Sequence, residues 1–148
     1  MTFSTLKYCL LLAVIHQSCV SHKPVDPIHY AGNAVILGHG GGFAGTEEEY
    51  RLLENGQLYH RALLNEPFKL LKSKTKKRSG KWIAEFDSLS QIHTSFNAPG
   101  NTYKFVVFKK DTLENRVVWA SQNREIDARI MQFYERFSDY WIYDKAKK

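Results

Sequence analysis

The stretch from Thr46 to Leu64, TEEEYRLLENGQLYHRALL, decides the fold. Asn55-Gly56 is the strongest hairpin signal in the chain, because both residues tolerate the positive φ of a tight turn. Thr46–Glu54 places Tyr50 and Leu52 on one face and reads as a strand, and Gln57–Leu64 reads as the strand returning from the turn. Two registers are open. A two-residue turn pairs Leu52 with Tyr59, whereas a three-residue loop with a bulged Gly56 pairs Leu52 with Leu58. The second gathers Tyr50, Leu52, Leu58 and His60 on one surface and is preferred.

Working outward from the hairpin, Asn33–Leu37 (NAVIL) is a short β-branched strand, and GHGGGFAG follows from Gly38 to Gly45. The expected form of that segment is a glycine-rich corner or bulge at a sheet edge, with Phe43 folded back as a plug. Phosphate binding by such a loop requires a helix next, but the following residues read as strand. The HGGG of His39–Gly42 matches an oxyanion motif, yet no G-x-S-x-G elbow accompanies it. Gly40, Gly41, Gly42 and Phe43 therefore remain candidates for contacting a ligand or partner, with no chemistry attached. Asn65–Pro67 is a turn and Phe68–Lys72 a fourth strand.

Between Lys76 and Ile92 the period changes: Trp82, Ile83, Phe86, Leu89 and Ile92 recur at helical spacing. Asn97–Asn101 (NAPGN) is turn chemistry. Thr102–Lys109 alternates aromatic and β-branched residues on both faces and reads as a central strand, with Asn115–Ala120 pairing antiparallel to it. Ile126, Ile130, Phe133, Tyr134, Phe137 and Trp141 describe a second amphipathic helix, with Asn123 as candidate cap. The sum is an α+β domain: an antiparallel sheet of about five or six strands with two amphipathic helices packed on one face. The aromatic residues at helical spacing are expected in the core.

Three clusters carry possible chemistry. Glu47, Glu48 and Glu49 could supply acid–base carboxylates beside His39 or His60, the arrangement a small hydrolase or lyase would need. At most Glu47 and Glu49 share a strand face, however, and a solvated edge strand guarded by charge explains the triplet better. The histidines show no H-x-H or H-x-x-x-H spacing, so neither a metal nor another cofactor is expected. Lys76, Lys77 and Arg78 centre the densest run of cations. At the start of a helix they oppose its dipole, and they mark either a solvated junction or a patch for anionic lipid or glycolipid.

The N-terminus reads as an export signal. Lys7 precedes the uninterrupted apolar run Tyr8–Ile15, which is shorter than the roughly 20 residues of a transmembrane span. Ser18-Cys19 then resembles a lipobox boundary, although His16 stands where leucine is usual. The chain has two cysteines, and Cys9 leaves with the signal, so Cys19 is the only thiol of the mature chain. Its sulfur is the expected site of lipidation. The domain division is residues 1–18 signal peptide, 19–32 tether, 33–143 a single domain and 144–148 a frayed basic tail. A net charge of +6 with 43% hydrophobic and 14% aromatic residues fits one core and a mildly basic surface. Export makes nucleic acid an unsuitable partner, leaving the membrane through the lipid, an envelope protein or an anionic glycolipid.

Gly40-Gly41-Gly42-Phe43-Ala44-Gly45, Tyr50, the LENGQL of Leu53–Leu58, and Pro99-Gly100-Asn101 ahead of an aromatic strand and Trp119 carry a resemblance. The sequence resembles a set of small exported or lipid-anchored proteins of Bacteroidota with a GGGFTG segment followed by Y-x-L-x-x-N-G. Ala44 stands in place of their threonine. The resemblance covers about residues 33 to 142 and implies export and a single domain. From the N-terminal signal and Cys19, the expected location is the inner or outer membrane through the lipid, otherwise the periplasm or the exterior. It implies no catalytic residue. The expected protein is a non-catalytic binding module of the cell envelope.

Overall fold

The computed structural model describes residues 23–90, 96–110, 113–123 and 125–144. The expected signal peptide, Cys19, the first part of the expected tether, Ile92 and most of the basic tail lie outside the described residues. Seven strands form one sheet in the order β4-β3-β2-β1-β6-β7-β5. In chain order they are β1 (Ala34–Gly41), β2 (Thr46–Leu53), β3 (Gln57–Arg61), β4 (Lys69–Ser73), β5 (Asn97–Ala98), β6 (Thr102–Lys110) and β7 (Leu113–Ala120). Helix α1 (Lys76–Leu89) joins β4 to β5, and α2 (Ala128–Phe137) follows β7. The α+β class is as expected, and the sheet is antiparallel apart from β5, which runs parallel to β7. That two-residue strand is the Asn97-Ala98 half of the expected turn, held by the Val118 amide donating to the Phe96 carbonyl.

Leu52 pairs with Leu58 and Tyr50 with His60, the bulged register. Gly56 closes the loop at φ +95°, its amide donating to the Leu53 carbonyl. A Cβ there would lie 2.0 Å from the Lys74 carbonyl oxygen, because the chain leading into α1 packs directly on this turn. The register sends Val35, Leu37, Tyr50, Leu52, Leu58, Val106, Phe108, Val117 and Trp119 to one face, where they share a core with Ile83 and Phe86 of α1 and Ile130, Phe133 and Phe137 of α2. Both helices therefore cover one face. Phe86 stacks on Phe108 at 4.7 Å, and Trp82 meets Phe133 and Phe137 edge-on at 5.6 Å. Each such side chain contributes about 1.5–3 kcal/mol by leaving water.

Several local expectations change. The glycine segment is not a corner at Gly38: β1 continues to Gly41, pairing with both β2 and β6. The Phe105 ring from β6 occupies the space a Gly38 side chain would need, 2.6 Å from its Cβ position. The turn is Gly42–Gly45, and Phe43 points outward, fully exposed, instead of plugging the sheet. The glutamate triplet is not on an edge, since β2 lies between β1 and β3. The cap of α2 is Asp127, whose carboxylate accepts from the Arg129 amide, while Asn123 accepts from the Glu125 amide in a separate turn. A π-helical turn, Ser138–Ile142, carries Trp141 into the core. Lys23–Tyr30, within the expected tether, packs on the sheet: Gln57 donates to the Lys23 carbonyl at 3.0 Å, the Val25 amide to the Tyr59 hydroxyl at 2.8 Å, and Arg51 to the Pro27 carbonyl at 3.2 Å.

Two glycine variants separate backbone conformation from crowding. Gly45 also has positive φ, +59°, but nothing within 4 Å of its Cβ position. In urea titrations Gly45→Ala costs about 1 kcal/mol, and Gly56→Ala, which adds a clash to the strain, costs more than about 2 kcal/mol. Equal costs would show that the turn moves away from Lys74 without penalty.

Candidate functional site

His39 on β1, Glu48 and Tyr50 on β2 and His60 on β3 project from the helix-covered face beyond the helices themselves. Glu48 Oε2 accepts from the Tyr50 hydroxyl at 3.0 Å and lies 3.1 Å from His60 Nε2 and 3.9 Å from His39 Nε2. The Tyr50 ring stacks on His60 at 4.6 Å and on His39 at 6.4 Å. The sheet thus brings both histidines to Glu48. Glu47 and Glu49, expected as the carboxylates nearest them, point through the sheet to its other side. Alternation along β2 puts Glu48 on the face of Tyr50, a signal available in the sequence once the strand was recognised.

Partial burial raises the Glu48 pKa, but the hydrogen bonds from Tyr50 and His60, with the fields of both imidazoles, outweigh it, so the carboxyl lies below its ordinary value. Burial, then the Glu48 charge and hydrogen bond, push Tyr50 far up, keeping the phenol protonated. Glu48 is therefore a fixed anion and Tyr50 a fixed donor at neutral pH. A groove of about 390 Å³ adjoins the cluster, lined by His39, Lys104, Tyr134, Ser138, Asp139 and Tyr143 among others. The Tyr134 hydroxyl donates to the Gly38 carbonyl at 3.1 Å, tying α2 to β1. Lys104 Nζ sits 5.1 Å from the centre of the Tyr134 ring. His39 is the member of the cluster that also lines the groove, and at 3.9 Å from Glu48 it is beyond hydrogen-bond length.

On the other face Glu47 and Glu49 are buried and saturated. Glu47 accepts from the Tyr103 hydroxyl at 2.7 Å and from both terminal nitrogens of Arg116, at 3.1 and 2.5 Å. The Arg116 guanidinium carbon lies over Phe105, 3.9 Å from the ring centre. Glu49 bridges Arg51 and Arg61, each at 2.5 Å, and the Phe68 ring faces both guanidiniums at 4.9 and 4.7 Å. These are structural pairs. Burial raises the Glu47 pKa, and the bonds from Arg116 and Tyr103 override it, leaving it lowered.

The remaining candidates separate in space. Gly40 and Gly41 are strand residues, and Gly42 begins the tip, its amide donating to the Asn101 carbonyl at 2.6 Å. Phe43 is the most exposed large hydrophobic among the described residues. Lys76, Lys77 and Arg78 form the exposed first turn of α1, at the opposite end of β2 from Phe43. Among the described residues no group of three or more His, Cys, Asp or Glu is arranged to hold a metal ion. No described helix is long and apolar enough to cross a membrane. No protein-family model matches the chain, and no curated protein matches it.

The carboxylates fix the direction of the acid response. Glu47 and Glu48 both have folded pKa values below the unfolded value of 4.5. Their contribution to stability is complete above that value and is lost as the pH falls through the folded values. Melting temperature therefore drops on acidification below about pH 4.5, and Glu47→Gln, already lacking the charge, shows a shallower drop. Arg116→Ala, which leaves Glu47 with Tyr103 alone, costs about 2 kcal/mol in urea titrations; Arg116 is itself half-exposed, and this moderates the loss.

Proposed function

We propose that this chain is an exported cell-envelope protein, lipid-anchored through Cys19, whose single α+β domain binds a partner and performs no chemistry. The contact is the β1–β2 tip, residues 42–45. The observation carrying this reading is Phe43, an aromatic ring fully exposed on a hairpin end bounded by Gly42 at φ +77° and Gly45 at φ +59°. A ring held clear of its own domain on a short, glycine-defined turn is ready to enter a pocket, and buried aromatics are the usual anchors of protein interfaces. Leu63 and Leu64, on the β3–β4 connection leaving β3 toward the same end, are also exposed and widen the apolar contact. Export and anchoring rest on the Lys7, Tyr8–Ile15 and Ser18-Cys19 pattern and on the resemblance to exported Bacteroidota proteins.

A photoreactive amino acid at Ala44 then cross-links one envelope partner in intact cells. Phe43→Asp reduces that product at least about tenfold, while stability stays within about 0.5 kcal/mol because the ring packs on nothing. Undiminished cross-linking would remove the tip from the interface. The anchor is read independently: alkyne fatty acid labels the wild type and not Cys19→Ala, and label retained in that variant refutes lipidation.

The convergence of His39, His60 and Glu48 favours a second reading, a small hydrolase or lyase with His39 as the proton-transfer group at the groove. Turnover of an ester, amide or glycoside panel that disappears in His39→Ala and persists in Phe43→Asp would establish it and displace the binding module. The missing His39–Glu48 hydrogen bond places it second.

A further inference from the structure

The segment expected as a tether is not free as far as the domain boundary at residue 33. It is pinned to the sheet as far back as Lys23, whose carbonyl accepts from Gln57, the first residue of β3. Gln57 follows the Asn55-Gly56 turn directly and pairs with Ser73, and the next residue, Lys74, donates its amide to the Gly56 carbonyl. The first turn of α1 is bound to the same place: Ser79 Oγ donates to the Glu54 carbonyl at 2.7 Å, and Lys76 pairs with the Glu54 carboxylate at 3.0 Å. Lys23, Lys76, Lys77, Arg78 and Lys81 therefore collect at one end of the domain, while the Lys74 ammonium beside them lies over the Tyr140 and Trp141 rings. Four residue steps separate Lys23 from Cys19, a reach of at most about 14 Å. An acyl chain on Cys19 must enter its bilayer beside this basic end. The β2 strand runs from here to the tip, placing Phe43 roughly 25–30 Å away along eight residues.

We infer that the basic end around the Asn55-Gly56 turn and the start of α1 is a membrane-contact face for the anionic phospholipid headgroups of the bilayer that holds the anchor, and that it points the Phe43 tip away from that bilayer. The inference rests on the anchored reading above and adds an orientation to it. Two independent observations meet here. One is charge: exposed Lys77, Arg78 and Lys81 have no acidic residue in the first turn of α1 to balance them. The other is covalent: pinning at Lys23 leaves at most about 14 Å of chain between the domain and an anchor at Cys19. Cations in the first turn of a helix oppose its dipole. Their position is therefore unfavourable for the helix and favourable for an anionic surface, where each is attracted by about the same amount as its neighbours.

The test uses the protein purified from the envelope of a bacterium expressing the full gene, with vesicles of phosphatidylcholine alone or mixed with an equal part of phosphatidylglycerol. At low salt the wild type partitions at least about tenfold more strongly to the anionic vesicles. The variant Lys77→Glu/Arg78→Glu/Lys81→Glu, which spares the Lys76–Glu54 pair, loses that preference while melting no lower than the wild type. Lys69→Glu, on the half of the edge strand nearer the tip, retains most of it. Hydrogen exchange on the bound protein slows at residues 75–81 and is unchanged at residues 42–45. A preference that survives the triple reversal, or protection at the tip in place of α1, overturns the inference; the latter outcome would make Phe43 a membrane wedge. The mass of Cys19 in the same preparation reports the anchor separately. An unmodified thiol with an intact, reversal-sensitive lipid preference would sink the anchor and leave the contact face standing.

Discussion

The loop from Glu54 to Gly56 sets everything else. A hydrogen bond from the Gly56 amide to the Leu53 carbonyl and a positive φ at Gly56 fix a three-residue connection. Leu52 then faces Leu58, and a slip by one residue would send the core side chains of one of the two strands to the opposite surface. The same glycine lets the Lys74 carbonyl approach. It thereby brings β4 and the start of α1 against the turn. One small residue at the hairpin end therefore determines the faces of the sheet, the entry of the first helix and the grouping of the cations around it.

Much of this was legible because period and turn chemistry agree locally. Tyr50, Leu52, Leu58 and His60 share a face in the sequence pattern and in the structure, and the helices fall where Phe86 and Phe133 recur at helical spacing. What was not legible depended on partners distant in sequence. Gly38 looks like a chain break until Phe105, 67 positions further along, supplies a ring over it. Glu47 and Glu49 look like edge guards until Arg116 and Arg61 arrive from other strands. Charge on a strand marks exposure only where no opposite charge faces it, and the pairing that decides this is tertiary. Asn97-Ala98 reads as a turn for a similar reason: its strand character comes from β7, not from its own residues.

The candidate site was half visible. The notion that His39 and His60 meet a glutamate is correct in kind, but the carboxylate is Glu48. The strand alternation that excluded Glu48 from a pair with Glu47 or Glu49 is what delivers it to the histidines. The arrangement spends the Glu48 charge internally. Its carboxylate accepts from Tyr50 and stands against His60, and Tyr50 is wedged between the two imidazoles. An anion so compensated orients its neighbours well and exchanges protons poorly, since taking up a proton breaks the bonds that hold its pKa down.

The two sides of the sheet solve different problems, and this bears on how the domain meets its surroundings. The helix side is held by aromatic packing and could carry polar groups only past the helix ends, where the histidine cluster sits. The other side has no described helix; there Ile36, Phe105, Val107 and Val118 form a smaller cluster, with the Arg116 guanidinium over Phe105 and Arg51 holding the pinned N-terminal segment at Pro27. Arginine does this well because its planar head stacks on a ring while its nitrogens bind carboxylate. Apart from the groove beside His39, the chemically distinctive surfaces are the ends of the strands. One end presents an apolar ring on glycine, the other a crowd of cations beside the incoming chain. On the reading proposed above, this difference between the two ends is what a domain standing between a bilayer and a partner protein requires.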